Sequence, residues 1–122
     1  MASTIFTTIL TEKITRTPGT MSLRFVRPQG FEYQAGQWFV ISLPAGSFPV
    51  DPAGGPLEKH FTFSSSPTEQ FLEFTTRLTG SPFKEAIRTL EPGTEVRVQA
   101  PFGGFVLRPE AEKVVFLAAG SG

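Results

Sequence analysis

Alternation of apolar and polar residues at period two, the mark of strands whose side chains point to opposite faces, recurs along most of this chain. Segment 5–16 is rich in Ile, Phe and Thr and reads as a strand. Met21, Leu23 and Phe25 alternate with Ser22 and Arg24 and read as the next. Between them, Thr17-Pro18-Gly19-Thr20 supplies turn chemistry, so the two runs form a hairpin. After a break at Pro28-Gln29-Gly30, segment 37–43 is apolar on both faces, which predicts a central strand. Strands are also expected over 59–64 and 71–78, around a turn at 66–69, and at Val96 and Val98 before a Gly-rich bend over 101–105. The continuously apolar stretch 114–118 reads as one more strand.

The period changes once. Ser81 is a good helix N-cap, Pro82 suits the first helical position, and Phe83, Ala86, Ile87 and Leu90 recur at helical spacing. Glu91-Pro92-Gly93 ends this helix, which is predicted over about 82–90. Segment 43–58, with four prolines and three glycines, has no period and reads either as a flap over a ligand or as a free surface loop. Short strands with one late helix predict a mainly all-β fold, a six-stranded antiparallel Greek-key β-barrel.

Composition narrows the functions available. The 122 residues fit one domain with a self-sufficient core. With no cysteine, disulfides, iron–sulfur clusters, thiolate zinc sites and cysteine nucleophiles are excluded. Eleven basic and eleven acidic residues cancel, which gives nucleic acid or an anionic membrane nothing to hold. Neither a signal peptide nor an apolar run of about 20 residues is present, so no membrane insertion and a cytoplasmic location are expected. Thirteen Phe in so short a chain point to an aromatic β core.

Chemistry is legible in three places. On a strand over 59–64, Lys59 and Phe61 share a face: a cation beside a ring, suited to a ligand that carries phosphate and a flat ring system. Thr62 adds a hydroxyl and a backbone N–H, while His60 points to the other face. Taken alone, the segment reads first as an ordinary edge strand, with Lys59 solvated and Phe61 in the core. Gly80 and Ser81 open the helix, where free N–H groups and the helix dipole favour phosphate, with Lys84 in the first turn. Plain capping is the competing reading there. At the C-terminus, a buried strand running into Gly120-Ser121-Gly122 has the form of the turn that opens a nucleotide-binding α/β unit.

In this order, these pieces make the chain similar to the flavin-binding domain of the ferredoxin-NADP reductase-like superfamily. Ala35-Gly36-Gln37-Trp38-Phe39-Val40 resembles the family's entry to a central strand. Lys59-His60-Phe61-Thr62, followed by Ser64-Ser65-Ser66-Pro67, resembles its R-x-Y-S flavin motif and the Ser-Ser-Pro run after it. Gly80-Ser81 resembles its helix start. Pro92-Gly93-Thr94 and Pro101-Phe102-Gly103-Gly104-Phe105 resemble its later turns, and the C-terminal stretch resembles the opening of its nicotinamide-binding domain.

The resemblance implies roles. Lys59, in the place of Arg, contacts the flavin phosphate; Phe61, in the place of Tyr, lies against the isoalloxazine. Thr62, in the place of Ser, hydrogen-bonds near flavin N5, and Gly80 and Ser81 meet the pyrophosphate. His60 stands within the motif. The helix start favours FAD over FMN. NAD(P)H passes hydride to flavin N5, and single electrons then leave for a redox partner such as ferredoxin or flavodoxin. Lys in place of Arg loses a bidentate fork, so weaker flavin retention is expected.

The implied division is a FAD-binding barrel over 1–108 and a linker with the first strand and Gly turn of a nicotinamide-binding domain over 109–122. That domain would need about 100 further residues. Alone, this chain should bind FAD without completing turnover. Its apolar strand 114–118 should then associate weakly with a second copy or leave a disordered tail after about Phe105. The alternatives are an electron-transfer subunit serving a separate dehydrogenase or oxygenase, and a flavin-free barrel used as an interaction module.

Overall fold

A computed structural model of the chain describes residues 2–119. Its elements are β1 (Thr4–Thr17), β2 (Thr20–Val26), β3 (Trp38–Ser42), β4 (Glu58–Thr62), β5 (Phe71–Arg77), α1 (Pro82–Thr89) and β6 (Glu95–Phe102). The six strands form one antiparallel sheet in the order β4-β3-β6-β1-β2-β5. β1 and β2 make the expected hairpin, which turns at Gly19 with φ of 80°. That positive φ is cheap only for glycine.

The sheet curls until β4 and β5, its two ends, lie side by side. It does not close. No ladder joins β4 to β5, and among the described residues the one backbone hydrogen bond across this seam runs from Ser64 N–H to the Glu73 carbonyl, at 2.8 Å. The expected six-stranded antiparallel barrel is present, with an open seam.

Aromatic rings fill the interior. Phe25, Phe31, Phe39, Phe63, Phe74 and Phe83 are buried with Leu10, Leu23, Ile41, Val96 and Val98. Phe39 and Phe63 meet at 4.6 Å between ring centres, and Tyr33 stacks on Phe63 at 4.1 Å. Such pairs add about 0.5–1.5 kcal/mol beyond the area they bury.

α1 starts as its sequence dictates. Ser81 Oγ accepts the Lys84 backbone N–H at 3.3 Å, Pro82 stands in the first turn, and Phe83, Ala86 and Ile87 are buried. The helix stops at Thr89, one residue before the expected end, because Leu90 leaves helical geometry with ψ of 129°. At that end Lys13 Nζ donates to the carbonyls of Arg88 and Leu90 at 2.7 and 2.9 Å, a cation on the negative pole of the helix.

Two motifs distant in sequence form one corner. Gln37 is buried; its Oε1 accepts the Gln34 N–H at 2.9 Å, and its Nε2 donates to the Gly103 carbonyl at 3.0 Å. Trp38 stacks on Phe102 at 4.6 Å, and a Cβ on Gly103 would press on the indole at 2.8 Å. A Cβ on Gly36 would collide with the Phe105 carbonyl. Both glycines also have φ near +100°, so each is demanded twice over.

Beyond Phe102 no strand forms among the described residues. The strand expected over 114–118 is thus not present: Val115, Phe116 and Leu117 are 83%, 87% and 94% exposed and have no ladder partner. A strand exists only through its neighbours. The glycine turn at 120–122 lies outside the described residues. Among those residues, no helix is long and apolar enough to cross a membrane.

Candidate functional site

The open seam defines the site. In an antiparallel pair, residues alternate between exchanging backbone hydrogen bonds and facing away. Leu43 N–H bonds to Leu57 O and Phe63 N–H to Gln37 O, so in the β3–β4 register the pairs Ile41–Lys59 and Phe39–Phe61 are the bonded ones. The backbone groups of His60 and Thr62 therefore face the other way, into the seam. Across it, Glu73 uses both its N–H and C=O toward Ser64 and Ser65, so on β5 the seam-facing residues are Glu73, Thr75 and Arg77. The seam is closed from Ser64 onward. Below, it offers unpaired backbone groups of His60 and Thr62 on one side and of Thr75 and Arg77 on the other.

Charge collects beside that opening. Lys59, Arg77 and Lys84 lie close enough that the charges of Lys59 and Arg77 act on Lys84. Burial first, and then repulsion from these two cations, lowers the Lys84 pKa below its ordinary value. None of the three takes part in an ion pair among the described residues. A phosphate placed among them would relieve the repulsion and gain charge-assisted hydrogen bonds. The α1 N-terminus lies at Lys84 and contributes its dipole to the same place.

Each expected site residue has a definite place. Lys59 and Phe61 share a half-buried face of β4, as alternation predicts, while His60 and Thr62 are exposed. One face of the Phe61 ring is taken: it stacks on Phe74 at 4.2 Å and 12°, with Phe83 at 5.7 Å. Only the opposite face or the edge is left for a ligand. His60 sets its ring edgewise to Trp38 at 5.6 Å, on the outside of the sheet. Ser81 serves as the helix cap. Gly80 is exposed, has no positive φ, and a Cβ there would meet nothing within 4 Å, so the fold itself does not require glycine at this position.

Two residues at the seam escape sequence reasoning. Arg77 joins the cation cluster; its signal was an exposed position in register with Thr75 just ahead of Thr79-Gly80-Ser81. Glu73 is 6% exposed and anchors the closed end of the seam. Its Oε1 accepts Ser64 Oγ–H at 2.8 Å, and its Oε2 accepts Arg24 Nε–H at 2.7 Å and Arg16 at 3.2 Å. Burial alone would raise the Glu73 pKa, but bonds from Arg24 and Ser64 with the charges of Arg24 and Arg16 outweigh it and hold the carboxyl below its ordinary value.

The Ser64-Ser65 part of the motif is structural. Tyr33 O–H meets Ser65 Oγ at 2.7 Å, and Ser65 Oγ accepts the Glu73 N–H at 3.1 Å. A concavity of about 500 Å³ between Phe6, Phe31 and Pro101 is lined by none of the three cations. Beside the seam the surface is open. No cluster of His, Asp or Glu able to hold a metal occurs among the described residues.

The sequence and the fold have counterparts in known proteins. No protein-family model matches the chain. It is 32% identical, over 91% of its length, to the stachydrine N-demethylase reductase subunit Stc4 of Rhizobium meliloti (strain 1021). It is 31% identical, over 86% of its length, to ferredoxin–NADP reductase B of Sorangium cellulosum (strain So ce56). Its fold matches a ferredoxin NADP+ reductase from Neisseria gonorrhoeae with bound FAD and NADP, with a TM-score of 0.69 at 16% identity over 82% of this chain and 39% of that one. The chain belongs to the ferredoxin-NADP reductase-like superfamily. It spans only 32% and 42% of the lengths of the two relatives.

Proposed function

We propose that this chain binds FAD along the open stretch of the β4–β5 seam and forms the flavin-carrying part of an NAD(P)H-dependent oxidoreductase. The observation that carries this reading is the cluster of Lys59, Arg77 and Lys84, brought together at a helix N-terminus with no carboxylate partner among the described residues. Three cations on neighbouring elements, none of them ion-paired among the described residues, suit a pyrophosphate, hence FAD better than the single phosphate of FMN. The residues present fit the group in other respects. Thr62 offers a hydroxyl and a seam-facing N–H to a polar ring edge, and the free side of Phe61 offers an apolar wall.

When bound, a flavin takes two electrons from a reduced nicotinamide and gives them up singly. The chain's own work is to bind and orient. Lys59, Arg77 and Lys84 neutralise the phosphates, Thr62 fixes the ring edge, and the stack of Phe61 on Phe74 keeps that wall rigid. No dedicated acid or base is needed for the hydride step. Residues 1–108 constitute the flavin barrel, and 109–122 lead toward a nicotinamide-binding unit. The redox partner is an iron–sulfur or flavin protein. The stachydrine relative, named as a demethylase reductase subunit, favours an oxygenase-type acceptor as a second reading.

The test is the visible spectrum of the purified chain before and after adding FAD and desalting. Retained flavin absorbance, weakened by Lys59→Ala, is expected. A colourless chain that releases all added FAD would instead favour a flavin-free interaction module. On a longer protein, reduction of a ferredoxin against reduction of an oxygenase separates the two electron-acceptor readings.

A further inference from the structure

The seam between β4 and β5 changes character within a few residues, and Glu73 stands at the change. Three groups of this one residue hold the β4 side. Its carbonyl accepts the Ser64 N–H at 2.8 Å, its N–H donates to Ser65 Oγ at 3.1 Å, and its carboxylate accepts Ser64 Oγ–H at 2.8 Å. Ser64 Oγ also meets Thr75 Oγ1 at 3.0 Å, and Thr75 Oγ1 meets the buried Ser22 Oγ at 2.6 Å. On the other side, Arg24 and Arg16 grip the same carboxylate, and Arg24 lies over the Phe71 ring at 4.0 Å. Phe74, the next residue of β5, stacks on Phe61. Glu73 and Phe74 together therefore clamp β4 on both sides of Thr62, at Phe61 and at Ser64.

Apart from the Ser64–Thr75 hydroxyl contact, nothing else on β5 crosses to the β4 side by a hydrogen bond among the described residues. The place of Thr62 relative to Arg77 and Thr75 is consequently set by this clasp, and so is the width of the opening below it. A network in which every buried polar atom has a partner is stiff, and the described residues leave none of their buried side-chain atoms unpaired. Sites built on such supports hold their geometry to a fraction of an ångström.

We propose that Glu73 is a positioning residue for the flavin site: through Ser64 it sets the place of Thr62 and the span of the open seam, so that cofactor affinity and the flavin spectrum depend on it although it touches no cofactor. This inference rests on the FAD reading given above. A group that merely stabilised the barrel would change the melting temperature and leave a folded variant's flavin site alone.

The experiment is FAD titration of the 122-residue chain, followed by quenching of flavin fluorescence and by the flavin absorbance bands. Wild type is compared with Glu73→Gln, Ser64→Ala and the double variant, well below the melting temperature of each. Glu73→Gln and Ser64→Ala should each weaken FAD binding about tenfold and shift the absorbance bands. The double variant should be no weaker than the worse single one, because both act through one contact. Equal affinities and unshifted bands in folded variants, with wild type binding FAD, would overturn the inference and leave the flavin reading standing. Independent, multiplicative losses would also overturn it. Should Glu73→Gln fail to fold, Ser64→Ala decides alone, since it removes one exposed hydroxyl. No quenching by wild type would overturn the flavin reading and this inference together.

Discussion

The same two strands meet twice, and the two meetings are opposites. At the upper end of the seam, Ser64, Ser65, Tyr33, Glu73, Arg24 and Arg16 satisfy one another, and every buried polar atom has a partner. At the lower end, backbone groups of His60 and Thr62 face a gap, and Lys59, Arg77 and Lys84 stand together without a counter-ion among the described residues. One end spends its polar groups on the fold. The other leaves them without protein partners, as the proposed cofactor site requires. The contrast predicts that mutations at the two ends will separate stability from binding.

The largest effect is expected from reversing a charge at the open end. Lys59→Glu should abolish FAD retention after desalting, and Lys59→Ala should weaken it roughly 10- to 100-fold. Melting temperatures should hardly change. If both variants kept flavin as wild type does, the cations would not be the phosphate site.

Next comes the closed end. Glu73→Ala leaves Ser64, Arg16 and Arg24 without their acceptor and should cost about 2–3 kcal/mol of stability, measured by urea unfolding. Both arginines reach solvent and can rehydrate, which keeps the cost below that of breaking a fully buried pair. A loss below about 0.5 kcal/mol would mean that the network adds little to the fold.

The same carboxylate gives a pH dependence. Its folded pKa is depressed, so its contribution is fully present above the ordinary value of 4.5 and is lost as pH falls below that toward the folded value. Unfolding free energy should fall with acid over that window in wild type, and less steeply in Glu73→Gln. Arg24, Arg16 and Ser64 face this carboxylate, and Arg24 also meets Glu12 at 3.5 Å.

A smaller effect of opposite sign is expected at Lys84. Lys84→Gln removes one of the repelling cations and should leave stability unchanged or slightly raised while FAD affinity falls. A variant with lower stability and unchanged affinity would place Lys84 with the closed end. The smallest effect concerns segment 114–118, whose exposed side chains should give weak, concentration-dependent association in sedimentation velocity, reduced by Phe116→Ser.

Much of this molecule was legible before any fold was known. The strands follow from period two, and the helix start from Ser81 and Pro82, because alternation and capping act between near neighbours in sequence. The shared face of Lys59 and Phe61 follows from the same alternation. Where sequence reading overreached, the missing factor was a partner. Segment 114–118 has the composition of a buried strand, yet composition cannot supply the ladder that makes one, and there the described chain is unpaired. The stack of Phe74 on Phe61 was not legible in the sequence, because it depends on which strands the curled sheet brings together.

What the amino-acid sequence determined by itself was the set of elements, their inward faces and the residue types able to hold a phosphate and a ring. Only the tertiary structure decided where those residues meet. Curling the sheet brought together β4 and β5, which follow one another in the chain but stand at opposite ends of the strand order, and so laid Phe61 on Phe74. It left their seam open at Thr62 and closed at Ser64, and it set Arg77 beside Lys59 and Lys84. Local propensities are written in runs of a few residues, whereas a seam between the first and last strands of a sheet is a long-range outcome of how the whole core packs.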